Sequence, residues 1–407
     1  MNCDNSDNML DKQQALDLLL KQAVCTRKTK PVDLKNCLNK ILAQDVKSTI
    51  NVPDFANSAM DGYAVAIDKT TKLPISFNIS DRITAGTRGS FLKPGNAARI
   101  FTGAPIPENT YAVLIQEECE LSNDGKKISI NRQIQEQENI RPKANDIKQG
   151  ELILAKGTKL KPQHIALAAS VGLAQLEVFE SIKVGVFFTG NELIPPGQKL
   201  TAGKIYNSNR YSIIAMLQSI DCEIVDLGII ADDFSASCDA MLELARQCDL
   251  IITTGGVSVG EEDYIKAAVE KLGQLSLWKI KIKPGKPLAF GRIEQVPFFG
   301  LPGNPVSAIV TYLLFVLPFI NKMQGNNLLA PQPIKVQTDF SWARPKPRRE
   351  YVRVRIDNNS VPPLAMLYTK LGSDVLSSIV WADGLVEVPE NSRFSEGEVL
   401  DYYPYFL

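Results

Sequence analysis

Residues 183–192 read Lys-Val-Gly-Val-Phe-Phe-Thr-Gly-Asn-Glu. A continuous apolar run that ends in Thr189, Gly190, Asn191 and Glu192 is the pattern of a strand buried on both faces and opening into a polar loop. Outward from it, a helix-like segment follows Asn207 and a second strand is expected at 223–230. Ser235 is expected to cap a helix whose face carries Met241, Leu244, Ala245 and Cys248. A strand at 250–253 runs into Gly255 and Gly256, and Asp263 opens a further helical pattern. This alternation predicts parallel βαβ units with helices on both sheet faces.

The flanks have another texture. Between Asn51 and Asn139, short β-prone runs at 63–67, 75–79, 97–101, 112–115 and 127–131 are separated by Gly, Pro and Asn turns. They predict a compact β-rich unit inserted between helical pieces. One such piece follows Ser6, with Leu16, Leu19, Leu20 and Ala23 on one face. After Gly325, strands expected at 334–340, 351–356, 364–367 and 385–388 suit a small β-barrel or sandwich. The apolar run 308–320 contains Pro318 and is shorter than the roughly 20 residues of a bilayer span, so it reads as a buried helix. The polar stretch 1–8 carries no signal core. A soluble, cytoplasmic protein of several domains is the expectation for 407 residues.

Lys+Arg and Asp+Glu each number 45 and cancel. A nucleic-acid binder living on phosphate contacts would carry a basic excess. The single histidine, His164, excludes more. A Ser-His-Asp triad, a two-histidine metalloprotease or a histidine-rich cluster needs it or needs more. His164 itself sits in the first turn of an expected helix, a structural position. The seven cysteines form no CxxC pair, as a reducing cytosol permits.

In an open α/β sheet, ligands bind beyond the carboxyl ends of the strands. Two loops fall there by order alone. Thr253-Thr-Gly-Gly-Val-Ser258 brings backbone N–H groups and a hydroxyl toward an anion, although a tight turn accounts for the glycines equally well. Gly300-Leu-Pro-Gly-Asn-Pro305 places Asn304 as N-cap and Pro305 at the first helical position, giving either an anion site or a rigid connector. Between them, strand alternation over 278–283 puts Lys279, Lys281 and Lys283 on one face, opposite Ile280 and Ile282. Such a row spans about 13 Å and would bracket a nucleotide diphosphate, unless it is a solvated face. Asp61, Asp146, Glu192, Asp232, Asp233 and Asp263 fall at strand ends or loops. One or two of them beside substrate phosphates would suffice for Mg²⁺. Lysines with loop carboxylates and no histidine fit phosphoryl or nucleotidyl chemistry driven by positioning and charge neutralisation.

Seven segments then carry a resemblance: Asn57-Ser-Ala-Met-Asp-Gly-Tyr-Ala, Phe101-Thr-Gly-Ala-Pro-Ile-Pro, Ile140-Arg-Pro-Lys-Ala-Asn-Asp-Ile, Thr189-Gly-Asn-Glu-Leu, Thr254-Gly-Gly-Val-Ser-Val-Gly-Glu-Glu-Asp-Tyr, Lys281-Ile-Lys-Pro-Gly-Lys-Pro and Leu301-Pro-Gly-Asn-Pro-Val-Ser. Together they resemble the MoeA family of molybdopterin molybdotransferases, which includes the gephyrin E domain, over nearly the whole chain. The resemblance implies insertion of molybdate into the dithiolene of adenylylated molybdopterin, with Mg²⁺ and release of AMP. The implied fold is multi-domain α/β plus β. A three-layer αβα molybdopterin-binding-like domain with a mostly parallel sheet spans 181–325, and an inserted β-rich domain spans 48–140. An elongated linking region joins 7–47 with 141–180, and a small C-terminal β-barrel spans 326–407. A homodimer with its cleft shared between subunits is implied, with a molybdopterin adenylyltransferase as possible partner and no nucleic acid or membrane.

Carried over residue by residue, the resemblance gives catalytic roles to Asp61, Asp146, Glu192, Asp263, Lys279 and Lys283. It gives cofactor-precursor binding to Thr102, Gly255, Gly256, Ser258, Asp232, Pro302, Pro305, Arg349 and Ser373, and metal binding to Glu192 and Asp263. Ala144, Asn207 and Tyr111 depart from the family pattern, standing where glycine, aspartate and aspartate are common. A non-catalytic relative that binds the precursor or scaffolds a partner is the alternative on the same fold.

Overall fold

The structure, a computed structural model, describes residues 9–25, 28–67, 75–256 and 264–405. The first helix, α1 (Lys12–Gln22), starts at Asp11, whose carboxylate accepts the Gln14 N–H while the Gln14 side chain answers in a capping box. The expected start at Ser6 lies outside the described residues.

The inserted unit is one six-stranded mixed sheet: β1 (Gly62–Val65), β2 (Ile75–Ile83), β3 (Asn96–Ile100), β4 (Ala112–Ile115), β5 (Glu120–Leu121) and β6 (Lys127–Ile130), in the order β4-β1-β3-β2-β6-β5. Alternation along β1 sends Ala64 to one apolar face and Val65 to the other, so both faces are packed. On either side of the insertion, Thr29–Asp33 pairs with Gln175–Phe179, and Val46–Lys47 with Leu152–Leu154. His164 lies in α2 (Pro162–Ser170), where its Nδ1 accepts the Lys161 N–H, the structural role expected of it.

The α/β region follows, with β7 (Lys183–Phe188), α3 (Ser208–Gln218), β8 (Glu223–Ile229), α4 (Phe234–Ala245), β9 (Leu250–Thr254), α5 (Tyr264–Leu272), β10 (Gly273–Lys279), β11 (Pro287–Ile293) and β12 (Val296–Leu301). The sheet order is β8-β7-β9-β12-β11-β10. Its first four strands run parallel and the last two antiparallel. The period of two explains the three layers. Val184, Val186 and Phe188 join the core under α1, α3 and the helix that follows β12, whereas Phe187 and Ile251 join the core under α4 and α5. Burying Met241 and Leu244 of α4 contributes roughly 2 kcal/mol each. The cap of α4 is Asp233, which accepts the Ala236 N–H at 2.8 Å; Ser235, expected there, is already inside the first turn.

After β12 the chain enters α6 (Pro305–Thr311), a π-helical turn at Tyr312–Val316 and α7 (Leu317–Met323). This stretch is apolar enough to cross a membrane by composition, but 83% of it is buried inside the protein, as read from the sequence. The C-terminal strands are β13 (Ile334–Thr338), β14 (Arg349–Asp357), β15 (Leu364–Leu367), β16 (Gly384–Val388) and β17 (Val399–Pro404). The pairings β14-β15-β13-β17-β16 return to β14, which closes a five-stranded barrel.

Candidate functional site

A cavity of about 770 Å³ opens where the carboxyl ends of β9 and β12 meet the C-terminal barrel. Four pieces of chain build it. The loop after β9 supplies Gly255 and Gly256, and the loop after β12 supplies Pro302, Gly303 and Asn304, followed by Ser307 in the first turn of α6. The connection between β10 and β11 supplies Lys283, Pro284, Gly285 and Lys286, and β11 its first residue, Pro287; the barrel supplies Arg348 and the segment 371–374. At Gly256 φ is +61°, and a Cβ would come within 2.6 Å of Ile265 Cγ1, so only glycine holds this wall in place.

The loops are tied to one another. The Gly255 N–H donates to Leu301 O at 3.0 Å. Buried Asn209, at the start of α3, donates its amide to Gly303 O at 2.7 Å and to Thr254 Oγ1 at 3.3 Å. Pro305 takes the first helical position of α6, as expected. Asn304 flanks it but its side chain does not cap the helix; it donates to Ser373 Oγ at 3.1 Å, while Ser373 O accepts the Val306 N–H at 3.0 Å. The barrel therefore caps the helix. Arg353, buried in β14, pins that barrel segment by donating to Lys370 O and Gly372 O at 3.1 and 3.0 Å.

Among the described residues, the lining carries Lys283, Lys286 and Arg348 with one acid, Asp374. An anionic ligand is what such a lining accommodates.

Of the residues named from the sequence, Gly255, Gly256, Lys283, Pro302 and Ser373 line this cavity together. Lys279 is exposed at the end of β10, opposite the lining residue Pro287. Glu192 and Asp232 stand in the loops directly after β7 and β8, along the same carboxyl edge of the sheet. Glu192 is exposed, its carboxylate turned back toward Gly190, and Asp232 accepts a hydrogen bond from Thr189 Oγ1 at 2.7 Å. Asp61, Thr102 and Asp146 do not line the cavity. Asp61 and Thr102 sit together on the inserted sheet, and the Thr102 backbone N–H and hydroxyl hold the Asp61 carboxyl below the usual aspartate range. Asp146 is exposed, with its N–H donated to Val52 O. Ser258 and Asp263 lie outside the described residues.

Two expectations need correction. The lysine row is not one strand. β10 ends at Lys279, the chain bends at Lys281, and Ile282–Lys283 leaves the α/β sheet to pair with Arg349 and Glu350 of β14. Ile280 and Ile282 are buried in one core as the alternation required, but Ile280 only bridges Leu10, whereas Ile282 belongs to the barrel sheet. The other correction concerns Arg349, which faces away from the cavity. Its guanidinium bonds Glu387 at 2.7 Å and Glu390 at 3.0 Å, and the neighbouring Arg348 lines the cavity instead. Glu387 also accepts from Lys12 and Tyr351, both at 2.8 Å. Burial opposes its ionisation, yet Lys12, Tyr351 and Arg349 together hold its carboxyl below the ordinary range.

Sequence reasoning missed Asn209, Lys286, Ser307, Arg348, Arg353 and Asp374. Lys286 stood within a quoted motif and Arg348 beside a chosen residue, so both were within reach. Asn209 and Arg353 act through backbone carbonyls far along the chain, and no local pattern marks them.

Among the described residues, no group of three His, Cys, Asp or Glu side chains is placed to hold a metal ion. Of the two carboxylates expected to bind metal, Glu192 stands exposed at the sheet's carboxyl edge and Asp263 lies outside the described residues; a Mg²⁺ carried mainly by ligand phosphates needs few protein oxygens.

Fold and cavity thus define a multidomain α/β protein with a lysine- and arginine-lined cavity at the carboxyl edge of its sheet. Residues 10–172 match the MoeA N-terminal region (domains I and II), 185–322 a probable molybdopterin-binding domain, and 335–405 the MoeA C-terminal region (domain IV). The chain is 43% identical over 318 residues to a molybdopterin molybdenumtransferase of Haemophilus influenzae, covering 78% of each chain. It is 34% identical to that of Bacillus subtilis, covering 90% of this chain and 87% of the relative. A crystal structure of a molybdopterin biosynthesis MoeA protein from Pyrococcus horikoshii superposes with a TM-score of 0.84 at 28% identity, over 98% of this chain and 100% of the other. The chain belongs to the MoeA family.

Proposed function

We propose that the chain is a molybdopterin molybdenumtransferase, a transferase of molybdenum cofactor biosynthesis working in the cytoplasm. It inserts molybdate into the dithiolene of adenylylated molybdopterin, with Mg²⁺, and releases AMP. The observation that carries this reading is the cavity's charge: among the described residues, three cations against one acid, over two glycine loops at strand ends. Its substrates are all anions. Lys283, Lys286 and Arg348 would hold phosphate and molybdate oxygens and offset the charge that grows on the departing AMP. The sulfurs that receive molybdenum belong to the substrate, and none of the described cysteines lines the cavity. Glu192 and Asp263 would hold Mg²⁺, which neutralises charge on the phosphoanhydride when bound.

Asp61, Thr102 and Asp146 lie outside the lining of a single chain, which supports a homodimer in which the inserted sheet of one subunit faces the α/β region of the other. The four-part division of the chain, with its linking region made from both sides of the insertion, belongs to the same reading.

One assay tests the reaction. The purified protein should consume adenylylated molybdopterin and release AMP only when molybdate and Mg²⁺ are both supplied. AMP release indifferent to molybdate points to a hydrolase instead, and no release at all to a non-catalytic relative. Mixing Asp61→Asn with Lys283→Met protein should restore turnover that neither has alone, if the cleft is shared.

A further inference from the structure

Behind the cavity wall lies a carboxylate that the reaction as proposed does not use. Glu350 is the second residue of β14, and its side chain is only 5% exposed. Two lysines share it, one on each oxygen. Lys346 Nζ lies 2.8 Å from Oε1, and Lys283 Nζ lies 3.3 Å from Oε2. Charge-assisted hydrogen bonds between ammonium and carboxylate settle at about 2.7–2.9 Å. Lys346 meets that distance as an ion pair, without hydrogen-bond geometry at Oε1, and also packs over the Trp342 ring, 5.0 Å from its centroid. Lys283 does not meet it. The two lysine side chains are about equally exposed, at 38% and 40%, so the difference lies in distance and place: Lys283 is the longer contact and the one that lines the cavity.

We propose that Glu350 is a positioning residue that holds Lys283 as an internal counterion, so that an anion entering the cavity takes Lys283 from Glu350 and returns it on leaving. The arrangement makes the exchange inexpensive. A buried carboxylate stripped of its only cation is strongly destabilised. Here Lys346 stays behind, so Glu350 keeps a partner while Lys283 turns to the ligand. Register favours the same pairing, because Lys283 and Glu350 are directly opposite in the short ladder that joins the α/β region to the barrel. The consequence is weaker anion binding than the cavity's cations alone would produce, and faster product release.

The inference rests on reading the cavity as the anion site, and the experiment separates the two. AMP is titrated calorimetrically into the intact protein. Wild type should bind AMP; if it does not, the site reading falls and this proposal with it. Glu350→Gln should tighten AMP about fivefold, the worth of a partly exposed ion pair no longer competing. Lys346→Met, which leaves Glu350 to Lys283 alone, should weaken it. The opposite signs exclude simple damage to the fold, which would weaken both. In a Lys283→Met background the Glu350→Gln effect should vanish. Unchanged or weaker AMP binding in Glu350→Gln overturns the proposal, as does tightening that persists without Lys283. Should Glu350→Gln not fold, Glu350→Asp draws the carboxylate back by one methylene and should also tighten AMP; no tightening there is equally fatal.

Discussion

Asp61 Oδ1 accepts two hydrogen bonds from one residue, the backbone N–H and the hydroxyl of Thr102, both at 2.8 Å. The pair closes the ends of β1 and β3, whose register sets Gly62 opposite Ile100. Both bonds favour the ionised carboxylate, so the folded-state pKa is lowered. A depressed carboxyl contributes stability above its unfolded pKa and loses it as pH falls through the folded value. Asp61→Asn should therefore fall below wild type in urea midpoint at neutral pH, and the gap should narrow as pH falls below about 4, the unfolded aspartate value. A gap that stays constant with pH would show the charge to be irrelevant.

Ala144 has φ of +58°, in the left-handed region that a Cβ disfavours. Ala144→Gly should raise stability by about 0.5–1 kcal/mol, the relief of strain less the added freedom of the unfolded chain. Denaturant midpoints measure it, and a loss of stability would mean the surrounding turn favours alanine for another reason.

Arg348 and Arg349 are adjacent and should behave oppositely. Arg349→Ala leaves buried Glu387 short of a cation and should cost about 2 kcal/mol, read as a lower thermal midpoint. Arg348→Ala should leave that midpoint nearly unchanged and weaken AMP binding. If the two variants exchange these effects, the assignment of the cavity arginine is wrong.

Two cavity glycines differ in the same way. At Gly285 φ is +103° and a Cβ would stand 2.5 Å from Thr311 Oγ1, so Gly285→Ala should destabilise the protein by roughly 2 kcal/mol. Among the described residues, a Cβ at Gly303 meets only Gly255 Cα, at an ordinary 3.7 Å. Gly303→Ala should fold with stability within about 0.5 kcal/mol of wild type. Equal losses in the two would contradict the difference in packing.

Asn209→Ala removes the amide that joins the two glycine loops. It should cost about 1–3 kcal/mol, because Gly303 O loses a buried partner, and should weaken AMP binding as the loops separate. Loss of stability with unchanged affinity would leave Asn209 a purely structural clip.

The strands that carry the site were legible because each is a short run of one texture. The run 183–188 coincides with β7, and 112–115 and 364–367 coincide with β4 and β15. The lysine row misled because alternation persists through the bend at Lys281. Ile280 and Ile282 are buried in one core, yet Ile280 bridges Leu10 while Ile282 pairs with Arg349 of the barrel, and periodicity does not register a change of partner. The arginine misled for a related reason: Arg348 lies in the bend just before β14 and Arg349 opens the strand, and which of them meets the cavity depends on where the barrel docks. Ser235 gave way to Asp233 within a single turn, the ordinary uncertainty of a helix end.

The amino-acid order alone determined the element types, the buried character of the apolar helix from Pro305 to Met323, the family, and the glycine loops at the strand ends, since all of these depend on neighbours within a few residues. Only the tertiary structure decided that Lys283 answers to Glu350, that Arg348 rather than Arg349 lines the cavity, and that a barrel loop caps α6 through Ser373. Those pairings join residues far apart in the chain, and their energies depend on burial and distance, which exist only once the sheet and the barrel have met.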